Sequence, residues 1–95
     1  MNGKNGSGRR TNHSVTLLTR PGCHLCDDAR LIIERVVAEE GATLTEQNVD
    51  DDAVLASEYG DRVPVVLVDG KEHGYWRVEE SRLRRALQGR RGWLR

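Results

Sequence analysis

The run Val63-Pro64-Val65-Val66-Leu67-Val68-Asp69-Gly70 constrains the fold of this chain more than any other stretch. Its branched apolar residues read as a strand, and Asp-Gly directly after them is the residue pair that a tight two-residue hairpin turn demands. Lys71 to Trp76 is therefore expected to return as an antiparallel partner. A two-stranded hairpin is not stable alone in water, so the rest of the chain must supply further strands and a covering layer.

The remaining segments provide both. Val15-Thr16-Leu17-Leu18, within Ser14 to Thr19, is β-branched and apolar on both faces, as expected of a short central strand covered on two sides. Arg20-Pro21-Gly22 breaks it. From about His24, the apolar residues Leu25, Ala29, Ile32, Ile33, Val36 and Val37 recur at helical spacing until Gly41, a C-terminal cap. Thr43 to Val49 reads as a weaker strand whose polarity suits a sheet edge. One of Asp50, Asp51 and Asp52 is expected to cap a second helix carrying Val54, Leu55 and Tyr59 and ending near Gly60. Three consecutive aspartates could suggest a metal site, but they point in different directions on a helix and no calcium-loop glycine pattern follows. A last helix is expected from about Val78 to Gln88, with Leu83, Ala86 and Leu87 inward and Gly89 as its stop.

Ninety-five residues allow one domain. Residues 1–13 have no apolar residue after Met1 and read as a flexible leader, 14–89 as the domain, and 90–95 as a short basic tail whose Trp93 and Leu94 could dock back. The 15 basic and 15 acidic side chains cancel, which argues against a nucleic-acid-coating protein. Lys4, Arg9, Arg10, Arg90, Arg91 and Arg95 gather in the two ends as solvated charge. No run is long enough for a membrane span, and the leader has no apolar core of an export signal, so the expected location is the cytoplasm.

Chemistry concentrates in Cys23-His24-Leu25-Cys26, which holds both cysteines of the chain at the expected strand-to-helix turn. Two thiols at this spacing can close a reversible disulfide ring, and amides at the helix start stabilise a thiolate on the first sulfur. Cys23 is thus the candidate nucleophile and Cys26, one turn inside, the resolving thiol. His24 could favour the Cys23 thiolate if protonated or simply point into water, while Asp27 and Asp28 offset the helix dipole that Cys23 uses. A closed zinc site needs four ligands. Beyond the cysteines only His13, His24 and His73 offer themselves, and none is expected to complete such a site.

Strand, helix, strand, helix, hairpin and helix, with C-x-x-C at the first strand-to-helix turn, is the βαβαββα layout of the thioredoxin fold: an α/β domain with a central four-stranded mixed sheet flanked by helices. On Val15 to Cys26, then Val63-Pro64-Val65-Val66 and Asp69-Gly70, the chain resembles the glutaredoxin-like proteins. Arg-Pro-Gly before Cys-His-Leu-Cys is similar to a small bacterial group of them. Gly74-Tyr75-Trp76-Arg77-Val78-Glu79 is similar to the aromatic-Arg-x-Glu stretch of NrdH-type redoxins, electron donors to ribonucleotide reductase.

The resemblance implies a thiol-disulfide oxidoreductase or electron carrier that reduces protein or small-molecule disulfides through Cys23 and Cys26 and carries no bound cofactor beyond that redox-active disulfide. It implies a cis peptide before Pro64 in a loop facing the cysteines, with the Val63 main chain pairing with substrate. Arg20 stands where glutathione-using members carry a lysine, and Gly74 keeps one glycine of their turn. Tyr75 and Arg77 replace the second glycine and an acidic residue, which weakens the case for glutathione. Tyr75, Trp76 and Arg77 are read as substrate contacts, with core packing as the alternative for the two aromatics. The expected partners are a disulfide-containing protein and either thioredoxin reductase or glutathione as reductant, with the chain acting as a monomer. A redox-inert binding module using the groove between Val63 and Tyr75 to Arg77, or a metal-binding protein, is the non-enzymatic alternative.

Overall fold

The structure, a computed structural model, describes residues 13–89. Residues 1–12 of the expected leader and the tail 90–95, with Trp93 and Leu94, lie outside the described residues. In chain order the elements are β1 (Ser14–Thr19), α1 (His24–Glu40), β2 (Thr43–Asn48), α2 (Ala53–Tyr59), β3 (Val65–Val68), β4 (Lys71–Tyr75) and α3 (Glu80–Gln88). Short 3-10 turns, Val49–Asp51 and Gly60–Arg62, flank α2.

The strands form one mixed sheet in the order β2-β1-β3-β4. β1 runs parallel to β2 and antiparallel to β3, and β3 and β4 form the hairpin. Polar β2 is thus an edge strand and β1 a central one. Asp69 and Gly70 take φ of +54° and +83°, the two left-handed residues that a tight hairpin turn with the right twist requires.

Alternation along the strands decides which layer each face meets. Val15 and Leu17 of β1 and Val66 of β3 pack with Ala29, Ile33, Val36 and Val37 of α1 and Leu83 and Leu87 of α3 in one core. Leu18 and Val65 point the other way and meet Val49, with Leu55 and Tyr59 of α2 beside them. Full burial of each such aliphatic side chain contributes about 1.5–3 kcal/mol. No residue of α2 is fully buried, so that layer is thin.

Caps mark the helix ends. Asp52 is the aspartate that caps α2, accepting the Val54 and Leu55 amides at 2.9 and 3.2 Å. Gly41, at φ +75°, closes α1. Four bounds differ from expectation. β2 ends at Asn48 and not Val49, which opens the following 3-10 turn and is buried in the second core. β3 starts at Val65 and not Val63, since Pro64 has no N–H to give to the ladder. β4 stops at Tyr75 because Trp76 turns to φ +68°. α3 starts at Glu80 and not Val78; Val78 packs on the core from the segment leading into the helix, which gave it a helical-looking place in the apolar pattern.

His13 corrects the expected leader. It is 6% exposed, with Nδ1 2.6 Å from Asp69 Oδ2 and Nε2 2.7 Å from the Gly89 carbonyl oxygen. Its main-chain carbonyl accepts the Thr43 amide. His13 therefore belongs to the folded body although composition puts it in the leader, because polar bonds to the hairpin turn and the end of α3 do there what apolar burial does elsewhere.

Candidate functional site: the dithiol turn and its surroundings

The dithiol is built from the end of β1. Gly22 takes φ +78° in the turn after Pro21, a conformation that glycine adopts without a side-chain clash, and the chain then enters α1. Cys23 is the N-cap of α1, with extended backbone (φ −92°, ψ 108°), and its Sγ accepts the Cys26 N–H at 3.1 Å. This is the place and bond pattern of a Ser or Asp cap, here supplied by sulfur. Cys23 and Cys26 are joined as a disulfide with Cα atoms 5.2 Å apart, within the usual span. Cys26 is 1% exposed and Cys23 is half-buried, so the first sulfur faces outward and the second lies beneath it.

His24 and Leu25, between the cysteines, are exposed. Asp27 and Asp28 have different surroundings. The Arg30 guanidinium bonds Asp27 at 2.9 Å and reaches on to Glu46 of β2, also at 2.9 Å through Nε. Arg30 thereby offsets the charge of Asp27 in the first turn of α1 and, through its hydrogen bonds, holds the Glu46 carboxyl below the ordinary glutamate value. Asp28 has no such partner among the described residues and lines a cleft beside α1.

The register of the sheet brings the other predicted residues to the same end. Leu18 pairs with Val65, so Pro64 lies next to Thr19, where β1 runs out toward the dithiol turn. The Val63-Pro64 peptide is cis and Pro64 is buried. Val65 pairs with Tyr75, and the Trp76 N–H donates to the Pro64 carbonyl at 2.8 Å, tying the end of β4 to that segment. Trp76 and Arg77 line the same cleft as Leu25 and Asp28. Tyr75 and Trp76 are 44% and 52% exposed, with ring centroids 5.0 Å apart in an edge-on contact. Both rings lie at the surface and neither belongs to a core cluster, although Trp76 shares its cleft with Ala29 and Ile32 of the core side of α1. A left-handed backbone at a non-glycine residue costs about 1–3 kcal/mol, a cost that local contacts at Trp76 must offset.

Arg20 is placed differently from the other predicted contacts. Its Nε donates to Asp50 Oδ1 at 3.0 Å and its Nη1 to the Gly60 carbonyl at 2.9 Å. A Cβ on Gly60 would lie 2.9 Å from Arg20 Nη2, so a bare backbone is what lets the guanidinium settle there. Arg20 thus fastens the segment before Cys23 to the two 3-10 turns that flank α2.

Arg62 joins this site although no sequence motif marks it. Its guanidinium lies 5.3 Å from both the Tyr59 and Tyr75 ring centroids, bonds Glu72 Oε2 at 2.6 Å and donates to the Glu58 carbonyl at 3.2 Å. It anchors the residues before Pro64 to α2 and β4 together. The only local signal was Tyr59 three residues earlier; Glu72 and Tyr75 become its neighbours through the hairpin.

His73 falls in an irregularity of β4, where Val66 faces Gly74 but Leu67 faces Glu72. Burial, then the charge of Arg82, holds its imidazole below the ordinary value of 6.5, and its buried Nε2 has no hydrogen-bond partner among the described residues. Among the described residues no three His, Cys, Asp or Glu side chains form a metal-binding group, and no helix is long and apolar enough to cross a membrane.

A mixed sheet in this strand order, three helices and a dithiol at the first strand-to-helix turn place the chain in the thioredoxin-fold class. A thioredoxin from Halobacterium salinarum shares that fold at a TM-score of 0.62 and 22% identity, over 82% of this chain and 74% of that one. More narrowly, residues 14–88 match the family model "Glutaredoxin-like domain (DUF836)", and the chain belongs to that family of redoxins. An uncharacterized protein of Mycobacterium tuberculosis is 44% identical over 75 residues, spanning 74% of this chain and 77% of its own length. A structurally characterised protein of X. campestris is 40% identical at a TM-score of 0.62, over 77% of this chain and 93% of that one.

Proposed function

We propose that this chain is a dithiol-disulfide oxidoreductase and electron carrier. One observation carries the reading. Cys23 caps α1 with its sulfur accepting a helix amide and half open to solvent, while Cys26 lies buried beneath it at disulfide distance. The same amide that caps the helix stabilises negative charge on Cys23, the form that attacks.

The steps follow from thiol-disulfide exchange. The Cys23 thiolate bonds to one sulfur of the substrate disulfide, and the other substrate sulfur leaves as thiolate and takes a proton from water. The Cys26 thiol loses its proton, attacks the Cys23 sulfur and releases the second substrate thiolate. Two electrons have moved to the substrate, and the Cys23–Cys26 disulfide remains. A reductant must then reopen that ring. Asp50 and Gly60 occupy the Arg20 guanidinium, and Arg77 carries the wrong sign for the ammonium of an amino acid. Both features support thioredoxin reductase, and not glutathione, as the electron source. A dithiol that cycles in this way suits a reducing compartment, and we place the protein in the cytoplasm. The Gly74 to Glu79 resemblance makes ribonucleotide reductase the first protein substrate to try.

Disulfide reduction by wild type, Cys23→Ser and Cys26→Ser tests the reading. Cys23→Ser is expected to fall to background, and Cys26→Ser to accumulate a mixed disulfide visible by mass. Undiminished reduction by Cys23→Ser would remove the catalytic assignment. Recycling of the oxidised protein by thioredoxin reductase with NADPH, compared with glutathione and its reductase, identifies the donor.

A further inference from the structure

The 3-10 turn Gly60–Arg62 takes contacts from both segments that border the dithiol. From the first segment, Arg20, three residues before Cys23, reaches the Gly60 carbonyl at 2.9 Å. The second segment, Val63 and Pro64, begins directly after the turn. Leu18 pairs antiparallel with Val65, so the same register carries Pro64 alongside Thr19 and Val63 alongside Arg20. Exchange at Cys23 and Cys26 leaves Arg62, the last residue of this turn, without a role.

Arg62 is nevertheless fixed from several directions. Its guanidinium lies 5.3 Å from the ring centroids of both Tyr59 on α2 and Tyr75 on β4. Nη1 bonds Glu72 Oε2 of β4 at 2.6 Å, and Nη2 donates to the Glu58 carbonyl of α2 at 3.2 Å. Four partners on two elements set the position and the tilt of one planar group, which a lysine ammonium in the same place does not achieve. α2 has no fully buried residue, so apolar packing fixes that layer weakly and polar contacts decide where its end lies. On the other side, the Trp76 N–H donates to the Pro64 carbonyl at 2.8 Å, directly after the ring on which Arg62 stacks. The Val63-Pro64 segment is thus held between Arg62 and the end of β4.

We propose that Arg62 is a positioning residue of the exchange reaction: stacked between Tyr59 and Tyr75, it sets the place of the Val63-Pro64 segment beside the dithiol turn, and with it the line along which a disulfide reaches Cys23. The proposal rests on the exchange chemistry above. A thiolate attacks a disulfide with the reacting orbitals aligned, so a wall displaced by a fraction of an ångström lowers the rate without altering either sulfur. The contacts of Arg62 are with α2 and β4 and not with a cysteine, so its effect passes through the segment it holds. Arg20, bonded to the Gly60 carbonyl, ties the approach to Cys23 to the same turn, which therefore spaces the two sides.

The test follows single-turnover oxidation of the pre-reduced protein by bis(2-hydroxyethyl) disulfide, well below the Tm of each variant. This disulfide is small and neutral, so it has no charge contact with Arg62 to lose. Arg62→Leu removes the charge, the fork and the stacking, whereas Arg62→Lys keeps the charge alone. Tyr59→Leu removes one ring and Tyr59→Phe keeps it. Arg84→Gln is the control for lost stability, since it breaks contacts with Glu80 on α3 and with Glu39 and Glu40 at the end of α1 away from Cys23. The second-order rate constant is expected to fall about tenfold or more in Arg62→Leu. It falls nearly as far in Arg62→Lys and less in Tyr59→Leu, while Tyr59→Phe and Arg84→Gln match wild type. The ultraviolet titration of the Cys23 thiolate in Arg62→Leu is expected to coincide with that of wild type, because Arg62 acts on the neighbouring segment and not on the sulfur. An unchanged rate in Arg62→Leu, full rescue by Arg62→Lys, a shifted thiolate titration or an equal loss in Arg84→Gln overturns the proposal. Should Arg62→Leu lose its melting transition, Arg62→Lys and Tyr59→Leu decide. Wild type that exchanges while the Arg62 variants match it overturns this proposal alone, and wild type that does not exchange overturns the exchange chemistry as well.

Discussion

Replacing His13 by alanine tests whether a polar clamp, far from the dithiol, holds the start of the domain. The side chain is 6% exposed and its two ring nitrogens meet Asp69 Oδ2 at 2.6 Å and the Gly89 carbonyl at 2.7 Å. A hydrogen bond to a carboxylate contributes about 1.5–3 kcal/mol and one to a neutral carbonyl about 0.5–1.5 kcal/mol. Asp69 is 24% exposed and Gly89 is exposed, so water recovers part of both when the imidazole is removed. Asp69 also keeps its bond from the Ser14 amide at 2.9 Å. The expected net loss is about 2 kcal/mol. In a domain of this size each kcal/mol moves Tm by about 4–8 °C, which makes the expected fall about 8–16 °C by calorimetry or circular dichroism. Disulfide exchange measured below Tm should be unaffected, because Ser14 and Thr19 lie at opposite ends of β1 and the clamp is at the Ser14 end. A Tm within about 3 °C of wild type would refute the clamp, since that is less than one kcal/mol.

Two further perturbations bear on the surroundings of the dithiol. Gly60→Ala places a methyl 2.9 Å from Arg20 Nη2 and expels the guanidinium from Gly60 and Asp50. Because Arg20 is 38% exposed, the loss expected in urea unfolding is about 1 kcal/mol, and it should not add to the loss in Arg20→Ala. Arg30 depresses the Glu46 pKa, so the stability from this pair is present above the ordinary glutamate value of 4.5 and is lost as pH falls through the lower folded value. Arg30→Gln should flatten the decline of Tm below that pH, and an equally steep decline in the variant would show that other carboxylates dominate.

Most of the fold was legible because it is written in local periodicity. The apolar spacing of α1, the Asp-Gly turn and the Gly41 cap depend on residues close in the chain, and their elements appear where expected. The dithiol was legible for the same reason, since Cys23 and Cys26 are three residues apart on one helix start. Bounds were less legible where a residue obeyed the pattern from outside the element. Val78 is apolar at helical spacing yet packs on the core before α3 begins.

The sequence by itself determined the order of strands and helices, the two-sided burial of β1 and the placing of a cysteine pair at the start of α1. These follow from side-chain period, turn chemistry and capping, all of which act over a few residues. Only the tertiary structure decided that Arg20 turns to Asp50 and Gly60, that Arg62 stacks between Tyr59 and Tyr75, and that His13 belongs to the body. Each of these is a charged or polar side chain choosing a partner across the sheet order β2-β1-β3-β4. Such a side chain has many acceptable partners and no periodicity, so its choice is settled only when packing of the apolar faces has brought the candidates within reach.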